Sequence, residues 1–371
     1  MGDTSGRVYN FSAGPAALPE SVLRQAQRDV FNIAGSGIGV MEHSHRGKVF
    51  DRITDETESL CRQIGDVPNN YRIFWMMGGA TSQCYMVPAN FLGDGQTADY
   101  FNTGKWAGDS IREVPLYGGL HICGSSESTN HDRIPAPSDI RYSERPVYVQ
   151  FTSNNTIVGT EWQVEPEGVP EGSFLVCDAS SNIYSRPLDI GRYGLIYAGA
   201  QKNLGPSGIT LLIAREDVLE LSPRKLPEMM RYRNHAEWVG RFNTPNTFGV
   251  YLMGEVFKWI IAEGGLTAMA EKNDAKAGVV YDFLDGQDFY TPHAQKASRS
   301  RMNLTFRCPT EALDAAFIEG AEQRGLCNLS GHRITKGMRA SMYNAFPIEG
   351  AYALVEFMKS FAHEHASAAR A

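Results

Sequence analysis

Three polar features interrupt apolar runs in this chain. The first is Lys202, in the stretch GLIYAGAQKNLGPSGITLLIA. It opens a loop between two apolar runs, 195–200 and 209–214, and is followed by Gly205, Pro206 and Gly208. Lysine is among the residues least often buried. One partly removed from water has a lowered pKa and presents more of the free amine that attacks carbonyls. The second is Asp178, which ends the apolar run in SFLVCDASS. A carboxylate there needs a cation, a helix start or a metal. The third is MMGGATSQ, residues 76–83, where a strand ends in two glycines and a helix begins at small hydroxyl residues. The free N–H groups of such a helix start bind phosphate. Singly, each also fits an ordinary role: a salt-bridged loop lysine, an N-cap aspartate, a tight strand–helix turn capped by Thr or Ser.

Taken together, a phosphate cradle, a strand-end aspartate and a lysine beyond the next strand match one cofactor, pyridoxal 5′-phosphate. The lysine forms the Schiff base, and the aspartate keeps the pyridine nitrogen protonated so that the ring acts as an electron sink. Trp106, in NTGKWAG, can stack on the ring face; its ordinary role would be a buried core tryptophan. No Gly-x-Gly-x-x-Gly and no Gly-x-x-x-x-Gly-Lys-Ser/Thr occurs, so neither a dinucleotide fold nor an ATP loop is supported.

The elements that must position these residues are legible from periodicity. Helical patterns cover 21–32, 46–64, 81–92 (bent near Pro88), 248–263, 266–284, 311–324 and 348–363. Strand patterns cover 71–77, 97–102, 146–151, 174–177, 195–200 and 209–214, with 301–307 and 337–343 as strands of a second sheet. Buried strands alternating with helices imply a mostly parallel sheet covered on both faces. Such sheets bind ligands at the carboxyl ends of their strands, where the three polar features fall. With 371 residues, a large domain plus a smaller α+β unit after about Gly265 is the expected organisation.

Composition narrows the class. A net charge of −7 argues against a nucleic-acid surface, and no apolar run is long enough to span a bilayer. The first residues lack the basic and apolar stretches of a secretory signal, and Met1-Gly2 with Ser5 misses the myristoylation spacing. The six cysteines, Cys61, Cys84, Cys123, Cys177, Cys308 and Cys327, contain no Cys-x-x-Cys pair and read as reduced, mostly core residues. A cytosolic protein is the expectation. The tail HEHASAARA reads as frayed; His363 and His365 within it read as solvated rather than metal-binding, and no metal is expected.

The blocks YNFSAGPAALP, EHSHRGKVF, DASSNIYSRPLDIGRYGLIYAGAQKNLGPSG, RFNTPNTFGVY and GHRITKGMRASMYNAFPIEG span nearly the whole chain. Through them the sequence resembles the phosphoserine aminotransferases, fold-type I pyridoxal-phosphate enzymes of class V. The resemblance implies an α/β large domain, residues 17–267, built on a mostly parallel seven-stranded sheet. A smaller α+β domain would comprise 1–16 and 268–371. It implies that Lys202 is the Schiff-base lysine, Asp178 pairs with the pyridine nitrogen, Trp106 stacks on the ring and Thr156 bonds at its polar edge. Ala80, Thr81 and Gln201 would hold the cofactor phosphate, completed by Asn243 and Thr244 from the neighbouring subunit of a homodimer. Arg339 would bind the substrate α-carboxylate. His45, Arg46, His332 and Arg333 would form the cationic pocket for its far end, and the backbone at Ala13 would line the site.

The implied reaction is a ping-pong transfer from L-glutamate to 3-phosphohydroxypyruvate, giving O-phospho-L-serine and 2-oxoglutarate, with a phosphohydroxythreonine of pyridoxine synthesis as a second product. One departure stands out: a bacterial form of the family reads Gly-Gly-Gly-Arg-Gly-Gln where this chain reads Gly-Gly-Ala-Thr-Ser-Gln, so Thr81 stands where that form has a cation near the anions. The alternatives weighed are an alanine–glyoxylate aminotransferase, a cysteine desulfurase using Cys327, and a non-catalytic binding protein of the same fold.

Overall fold

The computed structural model describes residues 6–365 except 334. Met1, Gly2, Ser5 and the last six residues of the tail lie outside the described residues. The central sheet has seven strands: β1 (Tyr71–Met77), β2 (Thr97–Asn102), β3 (Gly119–Ser125), β4 (Tyr148–Thr152), β5 (Phe174–Asp178), β6 (Tyr193–Gly199) and β7 (Ile209–Arg215). Their order is β1-β7-β6-β5-β4-β2-β3. Only β7 runs against its neighbours; the pairs from β6 to β3 are parallel. The carboxyl ends of six strands therefore lie along one edge of the sheet, together with the first residue of β7.

Period-two alternation sends each strand's side chains into two separate cores. Ile73, Trp75, Phe151, Cys177, Ile196 and Leu211 face helices α1 (Glu20–Asp29), α2 (Lys48–Gly65) and α5 (Thr247–Ala262). Phe74, Tyr148, Val176, Tyr197 and Leu212 face α3 (Gln83–Phe91) and the chain around Tyr232. Burial on both faces is why these strands read as nearly unbroken apolar runs. α4 (Lys105–Glu113) follows β2 and packs beside α3. A third core gathers Leu304, Phe306, Phe317, Met338 and Leu354. It lies between a small antiparallel sheet, β8 (Thr291–Pro292), β9 (Asn303–Arg307) and β10 (Met338–Ser341), and helices α7 (Glu311–Gln323) and α8 (Ile348–His365). α6 (Gly265–Asp285) serves both regions: Leu266 and Met269 enter the first core, Val280 and Leu284 the third.

The expected elements appear with end shifts of a few residues, and three differences are informative. The pattern over 81–92 resolves into a 3₁₀ turn, Ala80–Ser82, followed by α3 with Pro88 inside it. β3 carries no sequence signal because its two glycines and mostly half-buried or exposed side chains leave no apolar run. α4 was hidden by Gly108 and by a narrow apolar stripe that buries only Ala107 and Ser110. The frayed tail is corrected in part: His363 to His365 continue α8, with the His365 ring 4.3 Å from Phe361. Among the described residues, no helix is long and apolar enough to cross a membrane.

Gly194 marks how tightly the sheet is set. It is the extra residue where the β5–β6 register shifts between Leu175 and Val176, and a Cβ on it would stand 2.2 Å from Phe174 Cδ2. Overpacking of this kind destabilises by about 1–3 kcal/mol. Gly194→Ala should lower the denaturant midpoint accordingly; an unchanged midpoint would mean that Phe174 swings aside freely.

Candidate active site

A cavity of about 370 Å³ opens at the carboxyl edge of the sheet. That is within the range of about 300–1,000 Å³ usual for small-molecule sites. β5 ends in it with Asp178, and β4 with Thr152. The loop after β6 delivers Gln201 and Lys202, and the loop after β4 delivers Asn154 and Thr156. Gly79, Ala80 and Thr81 come from the turn that opens α3, and Trp106 from the start of α4. Ala13 and Gly14 close one side, and His332 and Arg339 come from the region of the third core.

Lys202 is held from both ends. Ala200 N donates to Ile209 O at 2.9 Å, and Gly205 N returns to Ala200 O at 2.8 Å, which closes the loop on the β6–β7 pair. Asn203 is pinned between the Ile183 carbonyl and the Asn344 amide, each at 3.0 Å. Gly14, at φ +131°, lies against the lysine stem, where a Cβ would stand 3.3 Å from Cγ. The Lys202 Nζ donates to Thr156 Oγ1 at 2.7 Å. Burial brings its pKa down to about 8; Asp178 acts against that shift and Arg339 reinforces it. Desolvation thus outweighs an acidic neighbour, and a reactive amine results.

Asp178 is the opposing charge. Its Oδ1 accepts from Ser180 N at 3.0 Å, and Ser180 Oγ in turn accepts from Gly199 N at the end of β6, at 3.1 Å. Burial raises the carboxyl pKa, while the Ser180 hydrogen bonds and the Lys202 charge lower it. Arg339 stands on β10, its pKa lowered by burial and partly restored by Tyr343. Tyr343 donates to the Ala13 carbonyl at 2.8 Å, so the residue that backs Arg339 also fixes the N-terminal wall.

The residues fit pyridoxal phosphate on their own chemistry. The first amides of a helical turn have no intrahelical partners, and Ala80 and Thr81 present such amides to the cavity. Gln201 Oε1 and Arg339 Nε are buried with no hydrogen-bond partner among the described residues, a costly state for polar atoms unless a polar ligand answers them. An amine, a carboxylate, an indole and an anion cradle then face one space.

Ten of the expected residues share this cavity: Ala13, Ala80, Thr81, Trp106, Thr156, Asp178, Gln201, Lys202, His332 and Arg339. His45, Arg46, Arg333, Asn243 and Thr244 are not in its wall. Trp106 is 36 % exposed, at the rim rather than in a core. The sequence reading passed over Asn154, Ser181 and Cys84. Asn154 donates to Ser181 Oγ at 2.8 Å and to Asn303 Oδ1 at 2.7 Å, which ties the site to β9. The signal for it was the polar run Thr152–Thr156, directly after an apolar strand. Cys84, not Cys327, reaches the cavity. Burial pushes its thiol up to about 11, against the hydrogen bond from Ser110, so it is no thiolate nucleophile. Cys327 sits in a two-residue strand paired with Tyr9–Asn10.

The family model for class-V aminotransferases matches residues 8–354. A phosphoserine aminotransferase of Herpetosiphon aurantiacus is 49% identical over 358 residues, covering 96% of this chain and 98% of that one. The solved phosphoserine aminotransferase of Bacillus circulans subsp. alkalophilus superposes with a TM-score of 0.94 at 42% identity, over 97% of this chain and 99% of that one. The pyridoxal-phosphate-bound phosphoserine aminotransferase of Trichomonas vaginalis superposes at 0.91 and 37% identity, over 95% and 100%.

A lysine lowered to about 8 is protonated below that pH and a free amine above it. The cofactor-free protein should therefore capture pyridoxal phosphate with a rate that rises to half its maximum near pH 8, read by borohydride trapping and peptide mapping. Asp178→Asn removes the charge that favours the ammonium and should move the midpoint lower. A midpoint near the ordinary 10.5 would refute the desolvated amine.

Proposed function

The chain belongs to the class-V aminotransferases and, within them, to the phosphoserine aminotransferases, and from that premise we propose how its residues share the reaction. The activity is amino transfer between L-glutamate and 3-phosphohydroxypyruvate, giving O-phospho-L-serine and 2-oxoglutarate in serine biosynthesis, with pyridoxal 5′-phosphate as cofactor. The observation that carries the division of roles is that Lys202, Asp178 and Arg339 face one cavity. When bound, the cofactor supplies an electron sink for the pair left behind as the Cα–H bond of the substrate breaks.

Lys202 anchors the cofactor through Nζ. When free, the same amine would take the Cα proton of the substrate, a task suited to a group with a pKa near the working pH. Asp178 holds the proton on the pyridine nitrogen through its charge. Trp106 covers the ring face, and Thr156 bonds at the ring's polar edge. Ala80, Thr81 and Gln201 hold the cofactor phosphate. Arg339 receives the α-carboxylate of each substrate in the two-pronged geometry that guanidinium favours, beside the backbone at Ala13. His332, with Arg333, His45 and Arg46, neutralises the distal anion, which is a carboxylate in glutamate and a phosphate in the acceptor.

We further propose a homodimer in which Asn243, Thr244, His45 and Arg46 serve the cavity of the other subunit. Phe31, Ile38, Met41 and Trp238 support this reading: they stand 44–79 % exposed on the segments that flank those residues, as an apolar surface awaiting a second copy would. The large domain is taken as 17–267 and the small one as 1–16 and 268–371. The cytoplasm is the proposed location, in keeping with six free cysteines. The phosphohydroxythreonine reaction of pyridoxine biosynthesis is proposed as a second use of the same pocket.

With glutamate as donor, kcat/KM for 3-phosphohydroxypyruvate should exceed that for glyoxylate. A preference for glyoxylate would overturn the anion-pocket assignment in favour of an alanine–glyoxylate enzyme. Shared sites predict subunit complementation. Lys202→Ala and Asn243→Ala homodimers, each impaired, should on mixing and refolding recover about a quarter of wild-type activity, because half the dimers carry one intact site. No recovery would place Asn243 in its own subunit's site.

A further inference from the structure

One cation beside the cavity has no role in the reaction as divided above. Lys105 is the first residue of α4, directly before Trp106. Its Nζ stands 5.7 Å from the centroid of the Trp106 ring, and that ring is part of the cavity wall. Its ion-pair partner is Asp109, one turn on, which is also bonded to Arg112. One carboxylate thus serves two cations, so the trio carries a positive charge in surplus. Asp109 would keep a partner if Lys105 left it. The side chains differ in freedom: Lys105 is 33 % exposed and Asp109 only 13 %. The lysine's flexible four-carbon stem can move while the carboxylate stays.

The electrostatic surroundings point the same way. His332, in the cavity wall, has its pKa lowered first by burial and then by Arg339, Arg333 and Lys105. Lys105 therefore shares the neighbourhood of the substrate's cations. The Ser110 hydroxyl of α4 donates to Cys84 of α3 at 3.2 Å, which ties the two helices together. Thr81, in the turn before α3, and Trp106, in α4, both line the cavity. Thr81 is uncharged, so on these two segments Lys105 is the cation nearest the cavity wall.

We propose that Lys105 is a specificity-determining residue, its ammonium crossing from Asp109 over the Trp106 indole to bind the phosphomonoester of the acceptor. A phosphate monoester carries close to two negative charges at neutral pH and a carboxylate carries one. Leaving Asp109 is worthwhile for the first and much less so for the second. Lys105 thus separates phosphorylated from unphosphorylated acceptors without touching the reacting carbon. The proposal rests on the distal-anion pocket assigned above.

The test compares 3-phosphohydroxypyruvate with hydroxypyruvate, glutamate being saturating, in the holoenzyme and in Lys105→Gln and Lys105→Arg. Lys105→Gln should raise KM for the phosphorylated acceptor about tenfold, as for loss of a charge-assisted hydrogen bond, with kcat nearly unchanged. Its kcat/KM for hydroxypyruvate should stay within about twofold of wild type, and Lys105→Arg should restore the phosphate preference. If wild type prefers the phosphorylated acceptor and Lys105→Gln keeps that preference, the Lys105 assignment alone falls. Equal losses for both acceptors would likewise overturn it and mark a structural role. If wild type shows no phosphate preference, the distal-anion pocket and the Lys105 assignment fall together.

Discussion

The site depends on keeping one amine short of water without leaving it unpaired. Lys202 gains the hydroxyl of Thr156 as a hydrogen-bond partner and feels the carboxylate of Asp178, yet burial still dominates its titration. An ammonium in bulk water would be a poor nucleophile at neutral pH, and a fully buried one would be too costly to keep. The half-buried lysine between these limits requires a rigid frame. The β6–β7 pair, the pinned Asn203 and the close approach of Gly14 supply that frame.

The same frame sets the division of labour across the cavity. The residues proposed to hold the cofactor come from the edge of the large sheet, and those proposed to bind the substrate's anions, Arg339 and His332, come from the side of the third core. A polar network crosses between them through two links, Asn154–Asn303–Tyr343 and Asn344–Asn203. It is buried, so its members are satisfied only when the two sides sit in one relation. α6, which feeds both cores, holds that relation from behind: Lys276 donates to the Tyr343 carbonyl at 2.7 Å, and Asn273 to Asn344 Oδ1 at 2.9 Å. The orientation of Arg339 relative to Lys202 is thus set through their neighbours Tyr343 and Asn203, which α6 and Asn344 hold.

Strands with strong signals were those buried on both faces. β1 and β2 match their apolar patterns at both ends, because Gly78 and the polar residues around Asp94 punctuate them. β3 escaped because its two glycines and mostly half-buried or exposed side chains leave no apolar run, and α4 because a short helix can dock on two small side chains. α4 then proves to carry Trp106 into the cavity wall, with Lys105 beside it. Among site residues, Lys202, Asp178 and the Gly-Gly-Ala-Thr turn were legible from local chemistry: each is a polar group next to an apolar run. Asn154 was not singled out: the polar run Thr152–Thr156 marked the segment, but only its partners Ser181 and Asn303 distinguish this residue within it.

The sequence by itself determined most of the sheet strands, a candidate amine and carboxylate at their ends, and the family. The first two follow from residues close in the chain, where spacing and periodicity act directly; the family follows from blocks spread along nearly all of it. Only the tertiary structure decided that ten expected residues share one cavity while His45, Arg46, Arg333, Asn243 and Thr244 stand outside its wall. It also decided that Cys84 rather than Cys327 meets the cavity, and that burial wins over Asp178 in setting the Lys202 pKa. Desolvation and long-range hydrogen bonds depend on which distant segments pack together, and no local pattern encodes that.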